Sequence, residues 1–346
     1  MHTDTPHKKS QIPDIIVYAL IVVFTMIAYA NTFQSPFLFD DYANIVNNHF
    51  IRIRTLAPSS LLRAAQESPM HNRWLSNISF ALNYYFHGYN PFGYHLVNIL
   101  IHAATGCLVY LLLLKTLSLS RFPDTSSHRK ELALVASMIW LLHPIQTNVV
   151  TYIVQRMTSM ATLFYLASLL CYINGRLEKG SRRGKLYYCC SLLCCLGGFL
   201  SKENAAMLPI MILGYEFFIL SPNHPLFNNK ARMAGMLIGL CSFLYCIGWL
   251  YLGEHPLRAI ATYYAPKDFT LGQRLLTEPL VVLHYLNLLA VPWQLRFPNL
   301  NRSFCSAIDF CRHSRPACFS LAHHLSGEKK PAGFVCPVLV FCQPAH

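Results

Sequence analysis

Residues 15–33 contain no charged side chain, and that single run limits what the chain can become. About 20 predominantly apolar residues carry a helix across the hydrocarbon core of a bilayer. The same character returns at residues 95–114, 132–148, 150–173, 186–200, 204–220, 233–252 and 275–292. Composition agrees, with 54% hydrophobic and 12% charged residues, where a soluble domain carries roughly 25% charge. The sequence therefore predicts an all-α, polytopic membrane protein with a bundle of about eight transmembrane helices. Residues 73–87 are aromatic-rich but too short to cross, so an interfacial or re-entrant piece is expected there. Lys8 and Lys9 precede the first run, and no small-residue cleavage motif follows it. The first helix reads as retained, not as a removed signal peptide.

A net charge of +13 would suit a nucleic-acid partner if it were gathered into a patch. It is instead scattered through short loops, a pattern that serves topology and anionic lipid contact. Lys115, Arg121, Arg129 and Lys130 occupy one loop. Arg176, Lys179, Arg182, Arg183 and Lys185 occupy a second, and Lys230 and Arg232 a third. The positive-inside bias places these loops and the N-terminus (residues 1–13) in the cytoplasm. Eight alternating spans satisfy that assignment. The outer side then receives the long loop 34–93, the His143-Pro144 turn, the Ser201-Lys202-Glu203 turn and the loop 253–274. The chain has 13 cysteines. Cys189, Cys190, Cys194 and Cys195 fall within one apolar span, where they read as small hydrophobes.

Chemistry-bearing residues collect on the outer side. Asp40 and Asp41 follow the first span directly. Adjacent like charges raise one pKa and allow a shared proton or a bound cation, although an acidic turn capping a helix has the same sequence. Arg156 lies near membrane depth, where an unpartnered arginine is costly and marks a cavity unless the bundle supplies a partner. Lys202 and Glu203 pair with each other if their turn is solvated. Asn98 and His102 are four residues apart, hence on one helix face. With Asn83 and His95 they suit interhelical hydrogen bonding better than metal ligation. Glu216, near a cytoplasmic helix end, reads as structural. Tyr263, Tyr264 and Lys267 read as interfacial anchors.

Taken together, these motifs resemble a known family. Phe39-Asp40-Asp41, Asn83-Tyr84 with Gly88, Tyr94-His95-Leu96-Val97-Asn98 and Trp140-Leu141-Leu142-His143-Pro144-Ile145-Gln146-Thr147 form one ordered set. Val154-Gln155-Arg156 and Ser201-Lys202-Glu203, followed by Pro209 and Glu216, complete it. The set resembles the membrane portion of the transmembrane and tetratricopeptide-repeat mannosyltransferases, especially their bacterial relatives, which are GT-C-type glycosyltransferases. The resemblance covers residues 14–292. It implies a GT-C-like domain over residues 14–297 with its catalytic loop at 34–93. The implied reaction transfers a sugar, typically mannose, from a polyprenyl-phosphate donor to a protein Ser or Thr hydroxyl. By position Asp40 and Asp41 match the catalytic acidic pair. His143, Arg156, Lys202 and Glu203 match outer-face positions expected to meet substrate. A carboxylate can act as general base toward the hydroxyl, and Arg156 or Lys202 can stabilise charge on the departing phosphate. A divalent cation on the acidic pair is an option that the spacing does not demand.

The character changes near residue 297. Residues 298–346 hold Cys305, Cys311, Cys318, Cys336 and Cys342 with His313, His323, His324 and His346. They carry no run long enough for a bilayer, no CxxC pair that would support a zinc module and no tetratricopeptide-length repeat. The expectation is a truncated or frame-shifted tail that is not a folded domain. Two other functions compete with the transferase: a non-catalytic membrane remnant and a transporter. A transporter favours midplane polar residues and internal repeats, and the polar residues here lie toward one face. Membrane lipids, a lipid-linked sugar and a protein acceptor are the implied partners, without nucleic acid. The expected site is a bacterial inner membrane, or the endoplasmic reticulum for a eukaryotic chain.

Overall fold

The computed structural model describes residues 13–119, 127–220 and 271–292, with scattered positions between 235 and 249. All regular elements among the described residues are helical. Residues 1–270 and 271–346 form separate units.

In the first unit α1 (Asp14–Tyr29) runs into a 3₁₀ turn, Ala30–Gln34. It stops because Ser35 precedes Pro36 and takes the extended conformation, which a following proline imposes. Two helices occupy the stretch 34–93, α2 (Pro58–Glu67) and α3 (Trp74–His87). The central helix is α4 (Pro91–Leu117), started by Pro91 in its first turn and by the Asn90 side chain, which accepts from the Phe92 amide at 3.1 Å. Proline and an Asn N-cap are favoured helix starters. Then come α5 (Arg129–Leu142), the short α6 (Thr147–Thr151), α7 (Arg156–Leu177), α8 (Arg182–Phe199) and α9 (Leu208–Tyr215). Helix α4 packs against α1, α5 and α7, and α7 packs along α8.

Among the described residues four helices are long and apolar enough to cross a membrane, five if the bent pair Arg129–Leu142 and Pro144–Thr151 is one span. The protein is an all-α integral membrane protein. The predicted 132–148 span bends by 48° at His143. The next begins at Ile153 and not at 150, because Tyr152 takes the extended conformation and ends α6. Helix α8 opens with Arg182, Arg183 and Lys185 and is not among those four. The predicted 233–252 span falls in the scattered segment, and the tail 298–346 lies outside the described residues. The 275–292 span corresponds to α10 (Leu271–Ala290), in the second unit, which carries an Arg274–Glu278 pair at 2.9 Å.

The α7–α8 hairpin shows how these helices associate without a hydrophobic drive between them. Gly180, with φ +87°, makes the turn, and Ser181 Oγ accepts from the Gly184 amide at 2.8 Å to start α8. Halfway along, Ser168 Oγ donates to the Ser191 carbonyl at 2.7 Å and Ser191 Oγ donates back to the Ser168 carbonyl at 2.9 Å. Small polar residues at close helix contacts are characteristic of membrane bundles.

The two ends of the bundle differ. At the basic end Lys130 pairs with Asp14 at 2.7 Å, Thr116 meets the Tyr215 hydroxyl at 2.6 Å, and Arg176 forms a two-point pair with Glu216. Tyr172 also donates to Glu216 at 3.0 Å, so Glu216 has the structural role expected of it. The opposite end holds the breaks between helices and the motif residues.

Candidate active site at the polar end of the bundle

Helix breaks leave backbone carbonyls without helical partners, and an apolar environment makes each such group expensive. One stripe along α4 supplies the partners. His102 Nε2 donates to the Leu141 carbonyl at 2.9 Å, beside the Tyr29 hydroxyl at 3.4 Å. Asn98 donates to the carbonyls of Val150 and Ile153 at 3.3 and 3.2 Å. His95 Nε2 donates to the Ser35 carbonyl at 3.0 Å. The polar stripe is thus a set of interhelical ties. Among the described residues no group of three or more His, Cys, Asp or Glu could hold a metal ion.

The restart of the chain at 152–158 is where the predicted site residues meet. Asp41 is 1% exposed. Its Oδ1 accepts from the Val154 amide at 2.7 Å and its Oδ2 from the Leu38 amide at 2.9 Å. One carboxylate therefore closes its own loop and staples that loop to the start of α7. The staple forces Phe39 into the left-handed region, φ 42°, at a cost of about 1–3 kcal/mol for a residue with a side chain. Asp40, the next residue, is turned out to solvent. Its backbone is fixed at both ends: the Asp40 amide donates to the Tyr152 hydroxyl at 2.8 Å, and Asn44 donates to the Asp40 carbonyl at 2.9 Å. Two neighbouring aspartates thus have different surroundings. Each Asp41 oxygen accepts one N–H group, and the Asp40 carboxylate faces solvent.

Arg156 is fully buried, and the protein itself fills its surroundings. Nε donates to Asn98 Oδ1 at 2.7 Å, Nη2 to the Tyr94 carbonyl at 2.9 Å and Nη1 to the Ser79 carbonyl at 3.3 Å. Phe80 and Tyr94 present their rings to the guanidinium at 4.7 and 5.5 Å. Lys202 and Glu203 do not pair with each other. Lys202 Nζ donates to Thr158 Oγ1 at 2.8 Å. Glu203 takes a two-point contact from Arg73, at 3.1 and 2.7 Å, and Arg73 also reaches Met157 Sδ at 3.2 Å. Asp40, Asp41, Arg156, Lys202 and Glu203 are therefore gathered around the first residues of α7. His143 is placed differently. Its Nδ1 accepts from the Ile145 amide at 3.2 Å, ending α5, and it borders an apolar groove of about 580 Å³ lined by Leu20, Phe24, Met138, Ile139 and Pro144. Arg73 and Tyr152 were not singled out from the sequence. An arginine at the mouth of an aromatic-rich helix is the signal that could have revealed the first.

Over part of its length the chain is similar to curated protein O-mannosyl-transferases. Over 245 residues the chain is 29% identical to protein O-mannosyl-transferase Tmtc3 of Drosophila melanogaster, covering 65% of this chain and 26% of that protein. It is 33% identical over 175 residues to protein O-mannosyl-transferase TMTC1 of Homo sapiens, 47% of this chain and 18% of that protein. To TMTC4 of Mus musculus it is 26% identical over 321 residues, 80% of this chain and 42% of that protein. The chain is similar to TMTC proteins over part of its length. It spans less than half the length of each of these relatives. No family model and no solved structure matches it.

The electrostatics of the site follow from burial. Burial pushes the Asp41 carboxyl up from 3.8 to about 6, opposed by the Leu38 and Val154 N–H bonds. The Asp40 charge adds to the rise, and Arg156 counters it. Burial, with help from Arg73, lowers the Lys202 ammonium, against the pull of Glu203. A folded-state value above the unfolded one means that Asp41 favours the fold most below about pH 4, and that this contribution is lost as pH rises through about 6. The expected result is a thermal midpoint in detergent that falls from pH 4 to 6 more steeply in the parent than in Asp41→Asn. Parallel pH curves for the two proteins would remove Asp41 from this role.

Proposed function

We propose that the chain is the membrane module of a mannosyltransferase-like protein. It moves a sugar, mannose, from a polyprenyl-phosphate donor to a Ser or Thr hydroxyl of a protein. The observation that carries the reading is the presentation of Asp40. One aspartate is buried and holds the loop, and its neighbour is exposed on a strained turn at the membrane end of α7. That division suits a general base better than a helix cap. The names of the relatives supply the sugar and the class of acceptor.

In this reading the acceptor hydroxyl gives its proton to Asp40 as its oxygen forms the bond to the anomeric carbon. The bond from that carbon to the lipid phosphate breaks, and the electron pair stays on the phosphate oxygen. An ammonium has three donors. Lys202 uses one on Thr158 and directs the others toward the developing charge, in a place that already excludes much of the water. Arg73 and Glu203 hold the Lys202 turn against α3. Arg156 acts from beneath as a strut for α3, α4 and α7, without touching substrate. The loop 34–93 and the turns at 143 and 202 lie on the non-cytoplasmic side of the membrane, with the Arg183 end in the cytoplasm.

Membranes containing the chain, supplied with polyprenyl-phosphate mannose and a Ser/Thr-rich peptide, are expected to yield mannosylated peptide. No transfer above membranes lacking the chain overturns the reading. Single-cysteine labelling of intact cells, in a background freed of native cysteines, is expected to place positions 40, 143 and 202 outside and position 183 inside. Labelling of positions 40 and 183 from the same side would end this topology.

A further inference from the structure

We propose that Tyr152 is the positioning residue that orients Asp40 for proton abstraction, an inference that rests on the transferase reading above. Tyr152 lies in the extended residue between α6 and the 3₁₀ turn Ile153–Gln155, with φ −82° and ψ 112°. That conformation swings its ring away from both helices and across the acidic loop. Its hydroxyl oxygen accepts from the Asp40 amide at 2.8 Å. The Asp40 side chain projects from the backbone that the phenol holds. A single phenol thus fixes the backbone from which the exposed carboxylate projects. Burial, opposed by the Asp40 N–H bond and aided by the charges of Asp40 and Asp41, holds the phenol above its ordinary value of 10.0.

Two further features make this a device for orientation and not a chance contact. The Phe39 ring stands edge-on to Tyr152, 6.5 Å between centroids and 87° between planes, so the residue before Asp40 is packed on the same ring that binds Asp40. Asp41 staples the other side of the turn to Val154, two residues beyond Tyr152. The Asp40 carboxylate is otherwise exposed, on a side chain with two freely rotating bonds. A base that must meet a hydroxyl and an anomeric carbon together gains from losing that freedom beforehand, since small misplacements of reacting groups cost about 100-fold in rate.

The test separates this inference from the reading beneath it. Tyr152→Phe removes one oxygen and keeps the ring against Phe39. The expected result is a kcat lower by about 10–100-fold, with the KM for polyprenyl-phosphate mannose and the thermal midpoint at parental values. Tyr152→Ala, which also loses the ring, is expected to lower the thermal midpoint. Tyr152→His keeps a flat ring with a polar edge and is expected to recover part of the kcat lost in Tyr152→Ala. Parental kcat in Tyr152→Phe, with Asp40→Asn inactive, overturns the role of Tyr152 and leaves the transferase intact. Parental kcat in Asp40→Asn overturns the transferase reading itself. Should Tyr152→Phe fail to fold, a folded Tyr152→His no faster than Tyr152→Ala overturns the proposal.

Discussion

Replacing Asp40 with asparagine is expected to lower sugar transfer by about 10²–10⁴-fold, the usual loss when a general base is removed, while protein level and thermal midpoint stay close to the parent. The second half of that expectation comes from the loop's wiring. Its described ties to Asp40 run largely through the backbone, from the amide to Tyr152 and from Asn44 to the carbonyl. Both survive the substitution. The opposite pattern is expected at Asp41, where both side-chain oxygens accept buried N–H groups. An asparagine there offers only one acceptor oxygen and leaves a buried donor unpaired, which costs about 1–3 kcal/mol. The two variants distinguish a reacting carboxylate from a structural one, although the residues are neighbours in sequence. Transfer would be followed in membranes with polyprenyl-phosphate mannose and a Ser/Thr-rich peptide. An Asp40→Asn protein that transfers as fast as the parent removes the main support for an enzyme.

The spans were legible because apolar length is a property of the sequence alone, and so was the separation of a basic from a polar end. The Glu216 role was legible too, since an acid at a basic helix end has an obvious partner in Arg176. The break at His143 was blurred, because hydropathy runs on through residues 144–151 while the backbone bends at Pro144. The stripe of His95, Asn98 and His102 suggested interhelical bonds, but not their targets. Those targets are carbonyls of Ser35, Leu141, Val150 and Ile153, and a carbonyl carries no sequence signal. Lys202 and Glu203 are adjacent, which suggests a mutual pair. They separate because a 3₁₀ turn starts at Glu203 and sends the carboxylate to Arg73, 130 residues earlier. The unequal roles of Asp40 and Asp41 depend on the positive φ at Phe39, which no residue type announces.

Arg156→Met is expected to be strongly destabilising, by about 1–3 kcal/mol for each buried acceptor left without its donor. Methionine comes near the volume and none of the donors. Asn98 Oδ1 loses the 2.7 Å bond that orients its amide, and the same amide ties the ends of α6 and the 3₁₀ turn through Val150 and Ile153. Loss of the guanidinium also leaves Asp41 without the positive charge that offsets its burial. The damage therefore spreads from α7 to α4 and then to the acidic loop. Arg156→Lys is expected to fall between parent and Met, because a single ammonium cannot reach Asn98, Tyr94 and Ser79 as the planar fork does. Thermal unfolding of the three proteins in the same detergent measures the series. A Met variant with the parental midpoint would show that Arg156 is not the strut, and a Lys variant that folds normally but transfers slowly would return Arg156 to direct contact with the donor phosphate.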